Sequence, residues 1–184
     1  MPALTAPYTI WTPDQPAGGA HADQDTGDIS AVASSGFAGQ AYPVAGVGAH
    51  IRVPGDVSRL AVFANNLVTF YNCSARSYLF GYANAAAHIK LVLWRDGTQL
   101  DASTSIQDLT LYDAHGFEET HDQTRPGIGL SAAVDLPPRG FDIQTWNVCV
   151  YVAASAFAAG AAGADARCST RITGIDYEFF WPAR

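Results

Sequence analysis

From Val47 onward, apolar residues recur at every second position, and that period constrains the fold more than any other feature of the chain. A strand turns successive side chains to opposite faces, so a period of two marks a half-buried strand. Ile89, Leu91 and Leu93 alternate with His88, Lys90, Val92 and Trp94. Ile128, Leu130, Ala132, Val134 and Leu136 form a second row. Trp146, Val148, Val150 and Val152 form a third, with Asn147, Cys149 and Tyr151 opposite, and Ile175, Tyr177 and Phe179 stand against Asp176 and Glu178. Asp96-Gly97 between apolar runs predicts a hairpin, because glycine tolerates positive φ. Pro137, Pro138 and Gly140 break the chain; the small residues of 158–164 read as a loop, and the glycine-bearing segments 44–48 and 160–163 as turns. Ile172 is out of phase with the last row, so Gly174 predicts a bulge. No window carries a helical stripe. The expected fold is all-β: a two-sheet antiparallel jelly-roll sandwich of short strands, with turns roughly every ten residues and an extended N-terminal arm.

Composition bounds the function. The chain has 184 residues, 48% hydrophobic and 15% charged, enough to bury a core. A net charge of −7, with Lys90 the single lysine, excludes the basic footprint of a nucleic-acid binder. Residues 1–10 lack Lys, Arg and an apolar run, so no secretory signal peptide is expected there. The apolar stretch 148–162 is shorter than the ~20 residues of a spanning helix, so no membrane span is expected. Cys73, Cys149 and Cys168 are odd in number and form no CxxC; they read as buried thiols, with pairing left open.

Two regions stand out. Residues 1–45 are rich in Ala, Gly, Pro, Asp and Ser and read as an extended arm ahead of a 46–184 sandwich. Tyr8, Ile10, Trp11, Phe37 and Tyr42 are its anchors; a loose terminus and a docked arm are both open. At the other end Phe179, Phe180 and Trp181 are consecutive, placing large rings on both faces of one strand. With Tyr177 they are the expected oligomer interface.

Chemistry-bearing residues are few. Asp113, His115, Glu118, His121 and Asp122, with Glu119, form the densest polar cluster, a candidate calcium or zinc site that competes with a solvated loop. No other cofactor is expected. Asp23, Asp25 and Asp28 resemble a calcium loop only superficially, since the distal glutamate is missing. No GxSxG occurs, and His50 and His88 read as strand histidines, so catalysis is not expected. Trp94, Tyr112 and Trp146 are candidates for stacking on sugars, against the alternative of core packing. Trp94 leads because it is out of phase with the Ile89, Leu91, Leu93 row.

Tyr78-Leu79-Phe80-Gly81-Tyr82 resembles the central strand of C1q/TNF-like jelly rolls. Residues 87–97, 128–136 and 141–152, and a closing segment from Ser169 to Pro182, are similar to that family's later strands in order and spacing. The sequence departs from the pattern at Arg76, where the family has glycine, and in a longer excursion over 105–127. The resemblance implies a homotrimer displaying binding loops, of the kind that caps extracellular proteins and phage or bacterial fibres. The leading expectation is therefore a non-enzymatic decoration, head-fibre, tail-fibre or spike protein, located on a virion or extracellular surface. Its expected partners are itself, a capsid or tail protein through the arm, and a glycan or cell-surface receptor. Alternatives are a stand-alone carbohydrate-binding β-sandwich and a β-sandwich enzyme using the 113–122 loop.

Overall fold

Alternation becomes a fold once strands pair. The computed structural model describes residues 2–11, 19–77, 81–95, 98–112, 117–137, 140 and 142–182; over 98–123 it describes backbone only. The strands are β1 (Ala3–Leu4), β2 (Thr9–Ile10), β3 (Gly19–Ala22), β4 (Asp28–Ala41), β5 (Val44–Val53), β6 (Arg59–Ser77), β7 (Tyr82–Arg95), β8 (Thr98–Tyr112), β9 (Phe117–Asp135), β10 (Gln144–Arg171) and β11 (Ile175–Phe180). Every pairing is antiparallel, and the described residues contain no helix, so the all-β class holds. No helix among them is long and apolar enough to cross a membrane.

The sheet is organised about β10, which is 28 residues long. One edge pairs with β5, from Gln144↔Val53 to Ala153↔Val44, then with β4, from Ala156↔Ala41 to Arg171↔Asp28. The other edge pairs with β7, from Asn147↔Trp94 to Ala159↔Tyr82, then with β6, from Ala162↔Ser77 to Thr170↔Thr69. Outside these lie β8 on β7, β9 on β6, β2 on β5 and β3 on β4. β11 continues the line of β10 along β6, and β1 pairs with β11. The β7–β8 register closes on Arg95↔Thr98, leaving the expected two-residue connection. With no helix among the described residues to cover it, the buried face of this open sheet packs around one hydrophobic cluster, consistent with a β-sandwich.

The strands are longer than expected because turn-type residues are absorbed as bulges. The small-residue segment 158–164 is not a loop; it lies inside β10, where the register with β4 shifts between Ala159 and Gly163. Gly160 (φ 70°) and Phe37 (φ 56°) take left-handed conformations at this level. A second irregularity sets Asn66 (φ 58°) in β6 near Gly127 (φ 73°) in β9. There the buried row of β6 changes parity, from Leu60, Val62 and Ala64 to Leu67, Thr69 and Tyr71. The segment 44–48 is likewise no turn: Gly46 and Gly48 lie within β5. In place of a bulge at Gly174, β10 ends and residues 172–174 lead to β11, with Ile172 buried and its N–H donating to the Gly27 carbonyl at 2.9 Å.

The segment read as an arm over 1–45 divides differently. β4 is integral to the sheet and supplies Ile29, Ala31 and Ala33 to the core, so the sandwich starts well before residue 46. Its composition concealed this because its buried row is mostly alanine. Residues 2–11 dock on their own domain through β1, β2 and Tyr8, which is 4% exposed. Tyr78, Leu79 and Phe80 lie outside the described residues, as do Pro138 and Phe141.

Candidate functional site

On the outer face of β5, β10 and β7 the register lines up successive rungs: His50, Asn147 and Trp94, then Gly48, Cys149 and Val92, then Gly46, Tyr151 and Lys90. Gly46 and Gly48 put no side chain on two consecutive outward positions of β5, which hollows the face. The hollow is also compact. A Cβ on Gly48 would overlap the Val148 carbonyl oxygen, and one on Gly46 would stand 2.7 Å from Cys149 Sγ. Pairing of β2 with β5, completed by a Trp11 N–H bond to the Gly46 carbonyl at 2.9 Å, brings Trp11 alongside.

The result is a cavity of about 480 Å³ walled by Trp11, Tyr42, Trp94 and Tyr151 and floored by Val92 and Cys149. That volume is in the range of small-molecule sites. The Trp11 and Trp94 rings meet edge to face, with centroids 4.8 Å apart and planes at 82°. Trp11 also meets His50 edge-on at 6.2 Å. His50 Nδ1 lies 2.6 Å from Asn147 Oδ1, and Lys90 Nζ sits 6.0 Å from the Tyr151 ring centroid. The indole N–H of Trp11 is buried without a hydrogen-bond partner. Burial pushes the Cys149 thiol up to about 12, so it meets the cavity floor as an uncharged thiol at neutral pH.

Of the sequence candidates for stacking, Trp94 lines this cavity. Trp146 does not: it is 4% exposed and belongs to the hydrophobic core, paired with Ile51 on the inner face. Tyr112 pairs with Tyr82 through its backbone, and its side chain lies outside the described residues. Asp113 and His115 lie outside them altogether. Glu118, His121 and Asp122 are placed by backbone only, opposite Arg76, Cys73 and Asn72. Among the described residues no cluster of metal-ligating side chains forms.

Asp23, Asp25 and Asp28 build a turn. Asp23 Oδ1 accepts the N–H groups of Asp25 and Thr26 at 2.8 and 3.1 Å, which holds its carboxyl below the usual range. Asp28 accepts two hydrogen bonds from Arg171, both 2.6 Å, and its pKa is lowered chiefly by them.

The final strand keeps its alternation without a bulge. Tyr177 and Phe179 pair with the buried Val62 and Leu60 and pack against the core, in a ring series continued by Trp181. Phe180 takes the opposite face, beside Arg59. It borders a groove of about 550 Å³ lined by Ser58, Arg59, Ala61, Phe63 and Ser131. Trp181 is 56% exposed and donates from Nε1 to Asp56 at 3.2 Å.

Sequence reasoning missed Tyr42, Tyr151, Lys90 and the two glycines as parts of one site. The available signal was Tyr151 facing Trp94 and Lys90 in phase, but the pairing that joins them is long-range.

Fold and cavity together define an all-antiparallel β protein with an aromatic-walled surface pocket. No family model and no curated protein matches the chain, so the C1q/TNF-like resemblance has no counterpart there. Among solved structures it is similar to that of infectious bursal disease virus Gt strain, at 12% identity and a TM-score of 0.23, over 94% of this chain and 42% of that one. A mutant VP2 protein of infectious bursal disease virus gives 11% identity and a TM-score of 0.23, over 87% of this chain and 46% of the other. The chain thus spans less than half the length of these proteins, and a likeness of this size carries no argument about activity.

Proposed function

We propose that this chain is a non-enzymatic structural module that associates with copies of itself into a closed homotrimer. The observation that carries the reading is the outer face of β6, β9 and β11, where Phe180 (40% exposed) borders the 550 Å³ groove beside Ala61 and Phe63. An exposed aromatic ring beside an apolar groove is what a subunit interface supplies, and a cyclic assembly closes such a surface. Arg59 and Asp135, 3.8 Å apart and both well exposed, offer a polar rim. The thiols support a non-catalytic reading: Cys168, like Cys149, is pushed up to about 12, chiefly by burial, which leaves almost no thiolate at neutral pH. A virion decoration or fibre head is the setting we propose for such a module. Light scattering coupled to gel filtration tests it: three copies at micromolar concentration are expected, falling to one on Phe180→Asp. A single copy of the unaltered chain at that concentration refutes the trimer.

A further inference from the structure

We propose that the Trp11–Trp94 cavity is a carbohydrate-binding site that takes one saturated sugar ring. This is independent of the assembly reading, because the cavity lies on β5, β10 and β7, away from the β6–β9–β11 groove.

The geometry selects the ligand class. Trp11 and Trp94 stand at 82° to each other, forming a corner. A corner of two indoles suits a thick ring that presents C–H groups on a face and an edge. Two further aromatic walls, Tyr42 and Tyr151, and the apolar floor of Val92 and Cys149 extend this contact. A cationic ligand is disfavoured, since Lys90 already holds its ammonium over the Tyr151 ring at 6.0 Å and would repel a second cation. Sugar hydroxyls radiate from the ring's perimeter and need donors and acceptors beside the stacking surface. Lys90 and the hydrogen-bonded His50–Asn147 pair occupy the rungs on either side of Cys149, and Lys90 supplies up to three N–H donors. No acidic side chain lines the hollow among the described residues. The paired glycines are the enabling feature, because any Cβ at Gly46 or Gly48 would collide with β10 and fill the floor.

The test uses the full chain on an array of immobilised neutral and acidic oligosaccharides, followed by titration of intrinsic tryptophan fluorescence with the monosaccharide units of any hit. Binding is expected, weakened about tenfold or more by Trp94→Ala and by Tyr151→Ala, with partial recovery in Trp94→Phe. Phe37→Asn, at an exposed left-handed position remote from the cavity, should leave binding unchanged. Near-ultraviolet circular dichroism separates loss of binding from loss of fold; if Trp94→Ala does not fold, Tyr151→Ala and Lys90→Ala carry the test. The proposal is overturned by no binding on the array and no fluorescence change at millimolar monosaccharide. It is equally overturned by binding that survives the Trp94 and Tyr151 variants, or by a cavity that takes a flat aromatic dye and no sugar. Since binding is read whatever the oligomeric state, failure of the trimer and failure of the sugar site remain distinguishable.

Discussion

The two halves of β10 share one strand and differ on both faces. The first half buries Trp146, Val148, Val150 and Val152 between the β5 row of Val47, Ile51 and Val53 and the β7 row of Ile89, Leu91 and Leu93. The second half buries Ala164, Ala166, Cys168 and Thr170, beside Ala31 and Ala33 on one edge and Cys73 and Ala75 on the other. The outward faces differ as well. The first carries the aromatic cavity. The second carries Arg167 over Phe70 at 5.9 Å, the Arg171–Asp28 pair, and Arg76 laid across Gly163. Large apolar side chains stabilise the first half through buried area. Small ones in the second let backbones and layers approach closely, so its stability depends on fit. The half with the thicker core also holds the hollow: a well-anchored scaffold can keep two glycines and a partnerless indole N–H in place.

Core substitutions break this comparison most directly. Leu91→Ala, at a fully buried site, should cost about 2–5 kcal/mol in urea unfolding through lost transfer energy and a cavity. Ala166→Leu tests the other half by overfilling and should cost about 1–3 kcal/mol with the fold retained. If Ala166→Leu proved neutral, the second half would not be limited by fit. The smallest effect is expected at the exposed Asp28–Arg171 pair. The Asp28 pKa is lowered from 3.8 in the folded state, so its contribution is present above the unfolded value and disappears as pH falls through the folded one. Thermal melts followed from about pH 5 to pH 1 should show a slightly shallower acid loss in Asp28→Asn than in the parent. Added salt should shrink that difference, because the pair is solvent-exposed.

Alternation alone made the class legible, and it assigned faces correctly for Ile89, Leu91 and Leu93, for Val148, Val150 and Val152, and for the outward Trp94. It misjudged continuity. The alanines and glycines of 158–164 read as a loop because flexible residues usually are one, yet pairing on both edges at 158–159 and again at 163–164, on either side of a bulge, keeps them in β10. Polar-looking 28–41 reads as part of an arm because its inward positions are mostly alanines, which contribute little hydrophobicity individually but fit a tight interlayer space.

By itself, then, the sequence determined that strands form and which way their side chains turn, since the pleat is local and reads two residues at a time. Tertiary structure alone decided which strands meet. It brought Trp11 to Trp94 through β2 and β5, turned Gly46 and Gly48 from presumed turn residues into the hollow of a pocket, and put Trp146 in the core. Pairing depends on contacts between distant segments and on bulges that reset register, and no short window of residues records either.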